Sequence, residues 1–327
     1  MRKVFIFISI LSFCLCLFSL YYLGFKGNQV SDIEKNVKEF FGLNKDLFVN
    51  KTFKKEFSYQ VIETFILNLN CSNFGIEVLH GKSENLLITV LIVGDSSNFK
   101  NCKLDSDYDS IKKSIKCSFK STDELKFGNE NKIIIESPNV NVKSQIVIEN
   151  GYLNYKELNG DVEVNSINSK IFVSDINGKI LINSNHGDVF LERLNSNVDA
   201  NCIGCKTTTN LNKGSFNLKS DGDIVIKKHF GNVKAISYLG EIYCELPEQS
   251  PACNLTSERG NVFIKMFNTV NVNLKLNAIN GEIINTIPTD TISIKTPLKY
   301  FNETINGGGK TINAKSQGNI SIQEIKD

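Results

Sequence analysis

A nine-residue repeat running from Gly160 to about Leu246 constrains this chain more than any other feature. Units open at Gly160, Ser169, Gly178, Gly187, Ser196, Cys205, Gly214, Gly222, Gly231 and Gly240, with one residue missing after Gly214. The third and fifth slots are apolar almost throughout: Val162 with Val164, Ile171 with Val173, Ile180 with Ile182, Val189 with Leu191, Phe216 with Leu218 and Ile224 with Ile226. Alternation with period two and β-branched residues predicts a short strand with one face buried. The Gly or Ser that opens each unit, usually after Asn, marks a bend where φ is free to turn positive. Such units are too short for hairpins with their own cores. Stacked, each buries its inward pair against the units above and below. The expected architecture is therefore all-β, a single-stranded β-solenoid with about nine residues per strand-turn unit and about 18 per coil. Asn165, Asn183 and Asn201, each 18 apart, would stack as a ladder at one corner.

The N-terminus reads differently. Arg2 and Lys3 precede an uncharged apolar run from Val4 to Phe25. A run of about 20 residues is long enough to span a hydrocarbon core. It has no Ala-x-Ala cleavage pattern and ends in Tyr21, Tyr22 and Leu23, which suit the lipid interface. The expectation is a transmembrane signal-anchor over 1–25, with Arg2 and Lys3 cytoplasmic and the rest extracellular or lumenal; the alternative is a cleaved signal peptide and a secreted chain. Residues 26–56 read as a stalk. It holds a short helix from Ser31 to Leu43, opened by a Ser31/Glu34 capping box and carrying Ile33, Val37, Phe40 and Phe41 on one face.

From Phe57 onward the text is strand-like, and 57–327 is read as one elongated ectodomain with its regular repeat over 160–246. A polar stretch over 95–128 reads as an insertion or hairpin. After Gly240 the spacing loosens, Gly260 opening RGNVFIKM and Gly281 opening NGEIIN, and the nine-residue interval returns between Gly309 and Gly318.

Four stretches together resemble the putative-adhesin β-solenoid family. These are the entry FILNLNCSNFGIEVLHG, the units GDVEV, GKILI, GDVFL and GDIVI, the looser pair RGNVFIKM and NGEIINT, and the closing INGGGKTINAKSQGNISI. The resemblance covers roughly 57–323 and implies a single-stranded β-solenoid. It supplies no catalytic residues.

Net charge of +2 with 22% charged residues gives no basic patch, so nucleic acid is not an expected partner. Of nine cysteines, Cys14 and Cys16 lie in the anchor run. A translocated chain permits disulfides, and the neighbouring candidates are Cys102 with Cys117, Cys202 with Cys205 and Cys244 with Cys253, leaving Cys71 odd. Units Ser196 and Cys205 are weak, diluted by Asp199, Ala200, Thr207 and Thr209, and a local disulfide or bulge is the expected compensation. Candidate N-glycosylation sites are Asn50, Asn70, Asn254, Asn302 and Asn319.

The repeat is poor in catalytic and metal-binding patterns. Calcium-binding nonapeptides need a doubled glycine and a fixed Asp, which these units lack. Glu163 and Asp199 share slot four two coils apart, roughly 9.5 Å, the spacing an inverting polysaccharide-active enzyme would need. Leu181 lies between them and no Arg or His column joins them. His80, His186 and His229 form no metal spacing. No catalysis and no cofactor are expected. Slot four should point outward, and in alternate units it holds Phe172, Phe190, Thr208, Val225 and Tyr243. This is either an interaction stripe or a surface covered by the N-terminal strands or the 95–128 insertion. The functional expectation is a membrane-anchored binding or adhesion-type surface module, whose partner is a protein, a glycan or a second copy. Its alternatives are a passive spacer or envelope scaffold and, less favoured, the polysaccharide-active enzyme.

Overall fold

The computed structural model describes residues 51–94, 100–121, 131–249, 251–287 and 298–325. The Val4–Phe25 run, the Ser31–Leu43 segment and Asn50 lie outside these residues. The fold belongs to a compact unit from Thr52 to Asp327.

The chain first lays down β1 (Lys51–Gln60), β2 (Phe65–Ser72), β3 (Gly75–His80), β4 (Asn85–Gly94), β5 (Cys102–Asp109), β6 (Ser114–Ser121), β7 (Lys132–Ser137), β8 (Val142–Glu149) and β9 (Tyr152–Lys156). The repeat follows as β10 (Val162–Ile167), β11 (Lys170–Ser174), β12 (Ile180–Asn185), β13 (Val189–Glu192), β14 (Val198–Ile203), β15 (Thr207–Asn210), β16 (Phe216–Ser220), β17 (Ile224–Lys227), β18 (Val233–Ser237) and β19 (Ile242–Glu245). The remainder is β20 (Cys253–Ser257), β21 (Val262–Met266), β22 (Val272–Ala278), β23 (Ile283–Asn285), β24 (Tyr300–Ile305), β25 (Lys310–Ser316) and β26 (Ile320–Glu324). Strands thus begin at Lys51, ahead of Phe57, and the described part of the 95–128 stretch is the antiparallel hairpin β5–β6.

All described strands fall into two sheets of 13, and in the repeat successive strands alternate between them. Sheet A runs β1-β4-β7-β3-β9-β11-β13-β15-β17-β19-β21-β26-β23; sheet B runs β24-β22-β25-β20-β18-β16-β14-β12-β10-β8-β2-β6-β5. Each repeat strand pairs in parallel with the strand two units away, Val162 opposite Ile180 and Ile171 opposite Val189, 18 residues apart in both cases. The residue missing after Gly214 moves the partner of Phe216 to Val233 without tilting the register. It is absorbed in a bend. One β-strand from each sheet makes a layer, and a single apolar core runs between the two inner faces. Slots three and five are inward as expected, with Val162, Val164, Ile171 and Val173 all buried. Ala200, Thr207 and Thr209 are inward and buried too, whereas Asp199 is exposed. Each fully buried Val or Ile contributes on the order of 1.5–3 kcal/mol.

The bends follow a rule that slot-by-slot reading missed. Left-handed backbone recurs in two columns, at Asn150, Asn168, His186 and Gly204 on one side and at Glu157, Asp175, Arg193, Leu211 and Lys228 on the other. After the second column the chain turns inward, burying Leu158, Ile176, Leu194, Asn212 and His229 along that corner. Most of these left-handed residues are not glycines. Gly178 serves a different need: its φ is not positive, but a Cβ there would collide with the Gly160 carbonyl one layer below.

Polar groups at the bends are paired between layers. Ser220, Ser237, Ser257 and Ser316 lie in register along sheet B, and the Ser237 hydroxyl donates to the Gly222 carbonyl at 2.9 Å while accepting from the Gly240 amide at 3.0 Å. Cys202 takes a serine position in this column and Cys205 takes a unit-opening position. Acidic second slots have a structural task as well. Asp161 Oδ1 accepts the Lys179 amide at 2.9 Å, and Asp223 Oδ1 accepts the Glu241 amide at 2.9 Å. The asparagine ladder exists in part and lies elsewhere: Asn183 donates to Asn165 at 3.0 Å from mid-strand on the outer face of sheet B, rather than from a corner.

Both ends depart from sequential stacking. The β2/β3 layer sits between the β6/β7 and β8/β9 layers, and the β25/β26 layer sits between β20/β21 and β22/β23. Antiparallel strands then terminate the parallel ladders: β4 on β7, β5 on β6 and β24 on β22.

Candidate functional site

The slot-four residues of sheet A form one continuous outward column. Cross-strand register places Phe172 beside Phe190, then Thr208, Val225, Tyr243 and Phe263. Phe172 is 40% exposed, and the other five are half-buried by one another. The described N-terminal strands do not lie over this column. They occupy places within the two sheets, with Glu77 and Asn154 continuing the same row beyond Phe172. The hairpin β5–β6 belongs to sheet B and does not cover the column either. Among the described residues the stripe is therefore bare.

Sheet geometry dictates how its side chains meet. Parallel neighbours in register lie about 4.8 Å apart, and the rings of Phe172 and Phe190 stack with centroids 4.6 Å apart and planes within 6°. Stacking turns the ring faces toward each other and leaves ring edges to solvent. Further along, the Lys265 ammonium lies 5.4 Å from the Tyr243 ring centroid, and the phenol beside it holds the ammonium's pKa up. Phe263 was not in the sequence-derived stripe because the step from Tyr243 is 20 residues instead of 18. The RGNVFIKM unit carried the signal in its own fourth slot.

Polar columns flank the stripe. On one side run Lys170, Asp188, Lys206, Asp223 and Glu241; on the other run Ser174, Glu192, Asn210, Lys227, Glu245 and Lys265. At the adjoining bend Arg193 grips Asp175 of the layer below with two hydrogen bonds of 2.9 and 2.8 Å, and the guanidinium holds the Asp175 carboxyl below the usual carboxylate range.

The cysteine expectations fare unequally. No disulfide joins the described cysteines. Cys205 donates to the Ser184 and Ile203 carbonyls and Cys253 to the Pro251 carbonyl. The Cys202 and Cys205 thiols are near neighbours, as are those of Cys244 and Cys253, the latter pair across the core from β19 and β20. Cys102 and Cys117 do not meet as cross-strand partners: Cys102 stands opposite Ser121 and Cys117 opposite Ser106, four positions out of register. The weak units are accommodated by buried Thr and Ala and by the Cys202–Cys205 contact, with no disulfide.

Four sequon asparagines, Asn70, Asn254, Asn302 and Asn319, have exposed side chains. Asn254 accepts from Asn313 at 2.8 Å, and Asn319 accepts the Glu282 amide at 2.9 Å. The two carboxylates that share slot four are each engaged by an amide, Glu163 by Asn165 at 3.4 Å and Asp199 by Asn217 at 3.1 Å. Among the described residues no helix is long and apolar enough to cross a membrane.

No protein-family model and no curated protein matches the chain. Several solved structures do. One is a crystal structure titled as a putative cell adhesion protein from Clostridium sporogenes, at 10% identity, covering 85% of this chain and 100% of that one with a TM-score of 0.24. A putative adhesin from Bacteroides fragilis aligns at 13% identity over 85% and 98% of the two chains, with a TM-score of 0.28. One from Parabacteroides distasonis aligns at 12% identity over 84% and 98%, with a TM-score of 0.36. At these TM-scores the likeness carries nothing further, and function is read from this chain's own residues.

Proposed function

We propose that this chain is a membrane-anchored, extracytoplasmic binding module of the adhesion type. Its layers are the coils of a β-solenoid, and the column from Phe172 to Phe263 is the surface that meets a protein partner. The observation that carries the reading is the column itself: six outward residues in register, mostly apolar and aromatic, with no described element over them. Rows of charged and amide side chains border it on both sides, the usual anatomy of an apolar contact with a polar rim. A protein fits better than a sugar, because stacked rings offer edges to a visitor and keep their faces for each other. The apolar Val4–Phe25 run behind Arg2 and Lys3 supports a single N-terminal span with this domain outside.

The experiment is cross-linking and pull-down from intact cells displaying the full chain, alongside a Phe172→Asp, Tyr243→Asp double variant. A specific protein captured by the natural chain and lost in the variant supports the proposal. Identical capture by both sinks the column as the contact. If nothing is captured and deletion leaves cell adhesion unchanged, the passive spacer is the better account.

A further inference from the structure

On the opposite sheet, at the N-terminal end, lies a cleft of about 710 Å³ between the outer face of sheet B and strand β1. That volume is in the range of pockets that hold small ligands. Its floor is built by register. One row runs Asp107, Lys116, Asn68 and Gln145 across β5, β6, β2 and β8; the next runs Asp105, Ser118, Asn70 and Val147. Lys55 and Phe57 of β1 border the cleft: Lys55 Nζ donates to the Leu104 carbonyl at 3.0 Å, the Tyr59 hydroxyl bonds Ser106 at 2.7 Å, and the Phe57 ring packs against the buried Phe119 ring with centroids 6.0 Å apart.

The floor has unused hydrogen-bonding capacity. Some outer-face amides elsewhere are tied from layer to layer, as Asn183 is to Asn165 and Asn217 is to Asp199. Here Asn68, Asn70, Gln145, Lys116 and Asp107 make no side-chain hydrogen bond or ion pair with any described residue. Lys116 stands directly opposite Asp107 without pairing to it. Three amides supply donors and acceptors together, the ammonium only donors and the carboxylate only acceptors. Lys55 and Lys116 offset Asp105 and Asp107, so the lining carries no net charge. The 47%-exposed Val147 adds an apolar contact beside the polar rows.

We infer that this cleft binds a neutral saccharide. Each sugar hydroxyl both donates and accepts, vicinal hydroxyls match the paired atoms of amides and carboxylates, and the C–H face of a pyranose suits Val147. An anionic ligand would face Asp105 and Asp107, and an apolar one would strand the amides. The site is separate from the aromatic column, on the other sheet, and stands or falls independently of the protein-binding reading.

The test uses the full chain, made in a host that does not glycosylate it, so that Asn70 keeps a bare amide. It is purified in a detergent without a sugar headgroup and applied to an array of neutral and acidic oligosaccharides, with the best neutral hit titrated calorimetrically. The expected result is binding of one or more neutral oligosaccharides that weakens at least about tenfold in Asn68→Ala, Gln145→Ala and Asp107→Ala. Lys120→Ala, outward on β6 but off the cleft, retains full affinity. Melting temperatures of the cleft variants, all at outward positions, stay near that of the natural chain. Failure of every neutral sugar to bind, binding of acidic sugars alone, or equal affinity in the cleft variants overturns the inference.

Discussion

Phe172 and Phe190 stack in near-parallel planes because the strands that carry them are neighbours in a parallel ladder. Val173, one residue on, points the opposite way and is buried in the core. The two faces should therefore respond differently to the same change. Val173→Asp forces an unpaired carboxylate into an apolar column and is expected to cost several kcal/mol, on the order of 3–5, or to prevent folding. Phe172→Asp loses one half-exposed stacking contact and is expected to cost about 1 kcal/mol. Thermal denaturation of both variants checks the difference; equal effects would mean that the register is wrong.

Thr209 is an uncompensated weak point. It sits in the inward column between Leu191 and Ile226, fully buried, and its hydroxyl has no hydrogen-bond partner among the described residues. Thr209→Val replaces that hydroxyl with a methyl of similar size. The expected outcome is a gain of about 1 kcal/mol, read as a higher denaturation midpoint at unchanged m-value. A loss of stability would show that the hydroxyl is satisfied in solution.

His229 gives the domain an acid-sensitive element. It is 1% exposed, packed at a tilt against the Phe216 ring with centroids 4.3 Å apart, and bonded through Nε2 to the Gly214 carbonyl at 3.1 Å. Burial lowers its pKa from 6.5 to about 4. The folded-state value lies below the unfolded one, so as pH falls the unfolded chain takes up the proton first. The stability contributed is complete above pH 6.5 and is lost progressively down to about pH 4. The total is on the order of 3 kcal/mol. Denaturation of the natural chain and of His229→Asn between pH 7 and about pH 4 should give curves that converge toward acid. Parallel curves would remove His229 as the cause.

The cysteines should report their surroundings. Burial pushes the thiols of Cys71 and Cys117 up, that of Cys117 to about 11. At Cys244 the neighbouring Cys253 thiol, and burial second, push the pKa up. These three should resist iodoacetamide in the native chain and react only after denaturation. Glutathione disulfide, which has to reach the same buried thiols, is expected to leave Cys244 and Cys253 reduced in the native chain. Cys102 and Cys117 should remain unlinked to each other, since their strands hold them out of register. Peptide mapping by mass spectrometry distinguishes these outcomes, and a 102–117 link would contradict the β5–β6 pairing.

The single layer is written in the local pattern. A period of nine with apolar third and fifth slots sets strand length, inward face and the neighbour two units away, because those depend on local alternation and on stacking of successive coils. The same pattern named most of the outward column, Phe172, Phe190, Val225 and Tyr243, since a side chain between two inward ones has to face out. Other features depend on long-range pairing, which local pattern cannot encode. The corner residues Leu158, Ile176 and Leu194 are buried because left-handed residues before them reverse the alternation, and those residues are mostly not glycines. At both ends a layer is inserted out of chain order, β2/β3 at one and β25/β26 at the other, and strand sequence alone favours no such neighbour. The saccharide cleft is a product of that reordering: Asn68 meets Lys116 and Gln145, 48 and 77 residues away, only because β2 pairs with β6 on one side and β8 on the other.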